Sequence, residues 1–197
     1  PDGETLAYTA TINGISQVFA RRLDSPIPAQ VTRALSPCRY PLWSPDSSRL
    51  FFWSDDSLWS IGAVGGEPVE VLKNVASGSP AAAISPDGKI VAFFQGEGAL
   101  NVLRLRRMAD GTTKTYEHTP FAARFRTNGG MRFSPDGRKL LVWLMRDVDR
   151  GAELWVLPFP EGQPQQVNCP LLTGFRALSA NWMRDNRRIA LATEASP

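Results

Sequence analysis

The chain contains one histidine, His118, which makes that residue the first candidate for catalysis. A serine hydrolase needs a nucleophile, a base and an acid within reach of one another, and many carry the nucleophile in a Gly-x-Ser-x-Gly turn. The sequence contains no such turn, and His118 lies in a Glu-His-Thr-Pro segment that follows a short polar strand. We therefore interpret His118 as an edge or loop histidine rather than a catalytic base.

Alternating acids around Gly151 suggest a cation-binding loop, because Asp147, Asp149 and Glu153 flank this glycine. Their spacing does not fit the calcium loop of an EF-hand, which carries its glycine in sixth place. No glycine-rich phosphate loop is present either. We predict a segment with no catalytic, cofactor-binding or metal-binding residues, and hence one that is not itself an enzyme.

The composition is that of an ordinary globular chain of 197 residues, with 43% hydrophobic and 21% charged residues. The net charge is +3, and the short basic runs at residues 21–22, 104–107 and 187–188 are scattered rather than clustered. A nucleic-acid-binding domain would gather such residues on one face.

No apolar run approaches the ~18 residues of a membrane span. Cys38 and Cys169 form no CxxC pattern and are typical of core thiols. We predict neither a nucleic-acid partner nor membrane insertion.

One acid recurs at the second position of five similar segments, which begin 44, 41, 49 and 49 residues apart. The preceding proline presets φ for a turn, and the carboxylate can accept hydrogen bonds from N–H groups just ahead of it. Because equivalent acids in equivalent turns indicate architecture rather than a single site, we interpret them as structural turn residues. They are Asp2, Asp46, Asp87, Asp136 and Asp185.

Each of these turns joins two apolar strands, and two progressively more polar strands follow. Four strands in 41 to 49 residues are typical of one propeller blade. The sequence therefore predicts an all-β fold, a β-propeller of four-stranded antiparallel blades with about four to five repeat units. The predicted units are a partial blade at 1–35, blades at 36–76, 77–119 and 125–168, and a partial blade at 176–197. We expect a fragment of a ring of six or more blades, which either self-associates through its open terminal blades or shows a gap in the ring.

The motif Ser-Pro-Asp-Gly at residues 85–88 and 134–137, with Ser-Pro-Asp at 44–46, resembles the signature of TolB-like, WD40-like repeats. The Gly-Gly-Glu-Pro turn at residues 65–68 is similar to that family as well. Such repeats occur in periplasmic accessory proteins, beside peptidase domains and C-terminal to some bacterial serine/threonine kinases. The segments 18–24 and 30–33 most resemble the kinase-attached kind. The last copy departs from the signature, with Met-Arg-Asp-Asn at residues 183–186, and its turn geometry is therefore open.

This resemblance implies a module that binds through loops, because propeller loops gather on one face. The connections at residues 34–39, 73–80, 120–128 and 168–177 are the predicted contact segments for a protein, a peptide or a small ligand. Our leading hypothesis is a non-catalytic binding or sensing module of a larger bacterial protein. The alternative is the gating propeller of a two-domain serine peptidase of the prolyl oligopeptidase type. A propeller lyase is disfavoured, because such a site needs more than one histidine.

Overall fold

The computed structural model describes residues 2–75, 82–97, 100–118, 120–121, 129–145, 152–169 and 175–195. These residues form strands and turns, and none of them belongs to a helix that could cross a membrane. The chain divides into two compact units, Pro1–Ser77 and Gly78–Pro197.

The first unit contains two antiparallel sheets. The first sheet has the order β1-β2-β3 and the second has the order β4-β5-β6-β7. The strands are β1 (Thr5–Ile12), β2 (Ile15–Arg22), β3 (Ala29–Gln30), β4 (Arg39–Trp43), β5 (Arg49–Ser54), β6 (Ser57–Gly62) and β7 (Val69–Leu72). Strand β4 packs beside β1, so the two sheets lie against each other.

The second unit contains two four-stranded antiparallel sheets and a strand pair. Their orders are β8-β9-β10-β11, β12-β13-β14-β15 and β16-β17. The strands are β8 (Ala82–Ile84), β9 (Ile90–Glu97), β10 (Leu100–Arg107), β11 (Thr113–Thr115), β12 (Gly130–Phe133), β13 (Lys139–Met145), β14 (Ala152–Pro158), β15 (Gln165–Gln166), β16 (Phe175–Trp182) and β17 (Ile189–Ala195). Strand β12 lies between β8 and β16, so the first strands of successive sheets are neighbours. The predicted all-β class and the four-stranded antiparallel sheets are confirmed.

The second strand of each four-stranded sheet contains a run of buried apolar residues, which is typical of a strand covered on both faces. In β5, the four residues from Leu50 to Trp53 are all buried, and in β13 the buried run extends from Leu140 to Leu144. Full burial of one such side chain stabilises the fold by about 1.5–3 kcal/mol. This strand therefore supplies much of the core in each sheet.

The core of the first unit joins its two sheets. It is formed by Val18, Ala20, Val31, Cys38, Leu50, Phe52 and Ile61. A smaller cluster in the second unit joins β13, β14 and β16 through Leu141, Trp143, Leu154 and Ala180. The six tryptophans all lie on strands, and Trp143 packs so closely over Gly130 that a Cβ there would collide with its ring. The absence of a side chain at Gly130 therefore leaves the space that the Trp143 indole occupies.

Candidate functional site

Four of the repeated aspartates, at residues 46, 87, 136 and 185, occupy the hairpin turns between the first two strands of their sheets, and Asp2 lies just before β1. In the turn after β8, Asp87 Oδ1 accepts the backbone N–H of Lys89 at 3.1 Å and the hydroxyl of Ser85 at 2.6 Å. The same Ser85 hydroxyl accepts the N–H of Ile90 at 2.9 Å. The serine thus links the carboxylate to the start of β9, and it is buried although the carboxylate is exposed.

The same geometry recurs in the other Ser-Pro-Asp turns. The Ser44 hydroxyl donates to Asp46 Oδ1 at 2.6 Å, and the Ser134 hydroxyl donates to Asp136 Oδ1 at 2.6 Å. From the sequence, only the aspartate was predicted to be a structural residue of the turn. The buried serine two residues earlier is an equal member of the turn, and its recurrence at residues 44, 85 and 134 was the signal that could have revealed it.

The last turn keeps this shape without a serine. Asn186 takes the left-handed conformation with φ 57°, and its N–H donates to the carbonyl of Met183 at 3.2 Å. Asp185 Oδ1 accepts the N–H groups of Arg187 and Arg188, each at 3.0 Å. The side chain of Arg188 adds a 2.6 Å contact to Asp185 Oδ2. The arginine therefore replaces the serine as the third partner of the carboxylate, and the strand pairing is unchanged.

The hydrogen bonds of these turns lower the pKa of every repeated aspartate. The Ser44 hydroxyl and then the N–H of Ser48 lower the pKa of Asp46 to about 2. The pKa of Asp87 and of Asp136 falls for the same reason, with the serine hydroxyl as the largest cause. The backbone N–H of Arg188 is the largest cause for Asp185, and the N–H of Glu4 for Asp2. Each carboxylate is thus stabilised in its charged form by hydrogen bonds within its own turn, and this is consistent with a structural role for the repeated aspartates.

The first predicted contact segment is held rigidly by Gln17, which lies on β2 and is only 4% exposed. Its Nε2 donates to the carbonyl of Ala34 at 2.8 Å, and its Oε1 accepts the N–H of Ala34 at 3.1 Å. Oε1 also accepts the hydroxyl of Thr32 at 2.8 Å. Beyond the loop, the N–H of Cys38 donates to the carbonyl of Ser16 at 2.7 Å. Both ends of the loop are therefore fastened to β2.

Residues 34–40, a loop together with the first two residues of β4 and called the Leu35 loop below, present large side chains to solvent. Leu35 is 94% exposed, and Tyr40 is 42% exposed with a left-handed φ of 53°. Arg39 is also exposed, and the pairing of β4 with β5 shifts register between Arg39 and Leu42. Such bulges re-aim side chains, and a tyrosine with positive φ is uncommon. The loop is thus a fixed platform carrying a leucine, an arginine and a tyrosine.

Tyr40 rests on the edge of the buried Trp53, with ring centroids 6.3 Å apart. The indole N–H of Trp53 is buried without a hydrogen-bond partner among the described residues. A buried donor with no partner costs about 1–3 kcal/mol, so such a group is uncommon in a fold optimised only for stability.

In the second unit, a groove of about 480 Å³ lies between the edge strand β11 and residues 159–161. Tyr116 closes its inner wall, and the Tyr116 hydroxyl donates to the carbonyl of Gly162 at 3.2 Å. Burial raises the pKa of Tyr116 to about 12. His118 lines the groove, and its Nδ1 lies 3.3 Å from Nε2 of Gln163. Within the described part of the chain, no carboxylate forms a hydrogen bond or an ion pair with the His118 ring.

The remaining candidate residues are only partly described. Asp147 and Asp149 lie outside the described residues, whereas Glu153 Oε2 accepts the indole N–H of Trp155 at 2.9 Å. Among the residues that the structure describes, no three His, Cys, Asp or Glu side chains are placed to hold a metal ion. Cys38 is a buried free thiol whose pKa is raised by that burial. Of the contact segments predicted at 73–80, 120–128 and 168–177, residues 76–80, 122–128 and 170–174 lie outside the described residues.

Comparison with known proteins identifies the fold. No protein-family model matches the chain, and no curated protein matches it. Among solved structures, TolB from Acinetobacter baumannii matches with a TM-score of 0.77 and 17% identity over 98% of this chain and 48% of that chain. A putative TolB from Agrobacterium tumefaciens matches with a TM-score of 0.75 and 17% identity over 99% of this chain and 68% of that chain. A structure of prolyl endopeptidases matches with a TM-score of 0.62 and 14% identity over 98% of this chain and 31% of that chain.

Within each unit, antiparallel sheets follow one another along the chain, and the first strands of neighbouring sheets lie side by side, as in the blades of a β-propeller. More particularly, the fold is that of a partial TolB-like β-propeller. The chain spans about half of the first TolB structure and about two thirds of the second.

Proposed function

We propose that the chain is a non-catalytic binding module that recognises a protein partner through the Leu35 loop. The observation that carries this proposal is a leucine with 94% exposure on a backbone that a buried glutamine holds in place. A loop fastened at both ends loses little conformational freedom on binding, and this lowers the entropic cost of association.

The side chains of the Leu35 loop support the same proposal. Arg39 and Tyr40 are of the types enriched at binding hot spots, and Leu35 adds apolar contact area beside them. Arg39 has no ion pair with any described residue, so its guanidinium is available to a carboxylate of a partner. The strained backbone at Tyr40 gives the tyrosine a direction that a regular strand would not.

A photo-crosslinker tests this surface directly. p-Benzoylphenylalanine is placed at position 35 in the full-length protein, and at position 64 as the matched control, because Val64 is a fully exposed aliphatic residue on another loop of the same unit. We expect a discrete crosslinked partner from position 35 and none from position 64. The Gln17→Leu variant, which releases the loop, should reduce that crosslink. Equal crosslinking at both positions would overturn the proposal.

A gating role beside a peptidase domain is the second candidate, and the similarity to the propeller of prolyl endopeptidases supports it. In that arrangement the hydrolytic residues belong to another domain of the full-length protein. The two candidates make the same prediction for the purified 197-residue chain, which should neither hydrolyse a chromogenic ester nor bind nucleotide. They differ for the full-length protein, where only a gating propeller accompanies peptidase activity. Turnover by the chain that is lost in His118→Ala would contradict both.

A further inference from the structure

Arg132 carries a partly buried charge for which the fold supplies no acid. It lies on β12, opposite Leu141 on β13. Its Nη1 donates to the carbonyl of Met131 at 2.9 Å, and no carboxylate pairs with it among the residues that the structure describes. Burial lowers the pKa of its guanidinium, because apolar surroundings disfavour the charged form. Taking such a charge out of water destabilises a fold unless a partner compensates for the loss.

Two tryptophans hold Arg132 in position without neutralising it. The guanidinium carbon lies 6.0 Å from the centroid of the Trp143 ring, which is at the limit of a cation–π contact. From β16, the indole N–H of Trp182 donates to the carbonyl of Arg132 at 3.2 Å. This second bond fixes the backbone and does not touch the charge. The positive charge of Arg132 is therefore placed firmly but left without a counter-charge in the described part of the chain.

The remaining N–H groups of Arg132 are available to a ligand. A guanidinium carries several donors in a planar fork, and only Nη1 has a protein partner in the described residues. The one side-chain nitrogen or oxygen of those residues that is fully buried without a hydrogen bond is the indole nitrogen of Trp53. The free donors of Arg132 are therefore not sealed in the core, and a ligand can reach them from solvent.

Arg132 also departs from the repeat. Two residues before the turn serine, β4 has Leu42 and β8 has Ala83, and Asn181 holds the equivalent position on β16. A residue that serves the architecture recurs at equivalent places, whereas this arginine occurs on one strand. That strand lies between β8 and β16, and in a propeller the blades surround a central channel. The charge thus has a role specific to this sheet.

We propose that Arg132 binds the carboxylate of a small organic acid. The carboxylate accepts two parallel hydrogen bonds from the guanidinium fork, and its negative charge balances that of the arginine. A doubly charged phosphate would need a second cation. Lys139 does not supply it, because its Nζ lies over the Trp182 ring at 5.6 Å and donates to the carbonyl of Asn186 at 3.3 Å. A single arginine therefore favours a monocarboxylate.

Nuclear magnetic resonance of the ¹⁵N-labelled 197-residue chain tests this binding at the residue itself. The side-chain Nε–Hε signal of Arg132 is identified by its loss in Arg132→Lys. Acetate is titrated at constant ionic strength, with acetamide as the uncharged compound of the same shape. We expect the Arg132 signal to shift saturably with acetate and to stay in place with acetamide.

The internal control is the signal of Arg138, which is exposed in the turn before β13. No shift of Arg132 with acetate, or equal shifts of Arg132 and Arg138, would refute the site. Phosphate should bind at least about fivefold more weakly than acetate, because one arginine balances one charge. Tighter binding of phosphate, or of the peptide acetyl-Gly-Asp-Gly-amide, would overturn the assignment to a small monocarboxylate.

Melting temperatures separate a ligand site from a structural arginine. Arg132→Met removes the charge and keeps a long side chain, so without ligand it should melt no lower than the wild type. Saturating acetate should raise the melting temperature of the wild type and of the control Arg138→Met, but not that of Arg132→Met. A lower melting temperature for Arg132→Met without ligand would show that the arginine serves the fold, and it would overturn the proposal. Gln17→Leu should leave the acetate shift unchanged, so this proposal and that for the Leu35 loop fail separately.

Discussion

The hydroxyl of Ser134 donates a 2.6 Å hydrogen bond to Oδ1 of Asp136, and it accepts the backbone N–H of Lys139 at 2.9 Å. One small side chain thereby joins the exposed turn to the first residue of β13. Ser134 itself is fully buried, so water cannot replace either bond without a local opening of the turn. The buried hydroxyl, rather than the exposed carboxylate, is the centre of this repeated turn.

Ser134→Ala should therefore destabilise the chain, because it leaves the N–H of Lys139 without a partner. We expect a loss of about 1–3 kcal/mol in the free energy of unfolding. In a domain of this size, each kcal/mol lowers the melting temperature by about 2–4 °C, which thermal unfolding monitored by circular dichroism resolves. Thr9→Val is the control, because Thr9 is exposed and its hydroxyl forms no hydrogen bond among the described residues. Equal melting temperatures for the two variants would contradict this role.

Acid should weaken the fold through the same turns. The folded pKa values of Asp46, Asp87, Asp136 and Asp185 lie below the ordinary value, so their ionised forms are favoured by folding. This stabilisation is present above about pH 4, and it is lost as the pH falls through the folded pKa, which for Asp46 is about 2.

Melting temperatures measured between about pH 7 and pH 2 test this dependence. Asp46→Asn should lower the melting temperature at neutral pH and show a shallower decline in acid than the wild type. Glu67→Gln, at an exposed carboxylate without a hydrogen bond in the described residues, should keep the wild-type decline. An identical acid decline in Asp46→Asn and wild type would contradict the prediction.

The repeated motif allowed the strands and turns to be predicted, because each apolar run and each Pro-Asp turn is a local signal. Ser85 and its equivalents were missed as turn members although they recur, since recurrence alone does not show that the hydroxyl is buried and bonded to the aspartate. The rigidity of the Leu35 loop depends on Gln17, which lies 17 residues before Ala34 in the sequence. The groove combines β11 with residues 159–161, and no periodicity in the sequence indicates that these segments meet.

The hairpin between β5 and β6 shows another feature that composition did not reveal. Asp55 and Asp56 both have positive φ, at 48° and 57°, so this two-residue turn is of type I′. Glycine is favoured at the second position, because it takes this conformation without steric cost. Asp56→Gly should stabilise the chain by about 0.5–1 kcal/mol.

Gly14→Ala provides the opposite control, because Gly14 occupies the second position of the hairpin between β1 and β2 with φ 82°. Thermal unfolding should show a rise for Asp56→Gly and a fall for Gly14→Ala. A lower melting temperature in both variants would contradict this prediction. It would show that the Asp56 side chain stabilises the fold by more than its positive φ destabilises it.

The exposed apolar residues of β1, the first strand of the first sheet, should promote self-association. Leu6 and Ile12 on β1 are 49% and 43% exposed, and apolar groups on a strand edge favour pairing with another copy. We expect the average mass measured by light scattering to rise with concentration in the micromolar range. Leu6→Lys combined with Ile12→Lys should restore the monomer mass. A wild-type chain that stays monomeric throughout would contradict this expectation.

Gln17→Leu should release the Leu35 loop. The substitution removes the side-chain amide, and this leaves the N–H and carbonyl of Ala34 and the hydroxyl of Thr32 without their present partner. The free energy of unfolding should fall by about 1–3 kcal/mol, because Gln17 is buried and its hydrogen bonds are lost, while a leucine of similar size keeps the packing.

The more specific measurement is hydrogen exchange at the Ala34 amide. Exchange there should become at least about tenfold faster, while the Ile90 amide in the second unit keeps its rate. Gln166→Leu, at an exposed position on β15, should change neither rate. Unchanged exchange at Ala34 in Gln17→Leu would show that other contacts hold the loop, and it would remove the physical basis for a preformed binding surface.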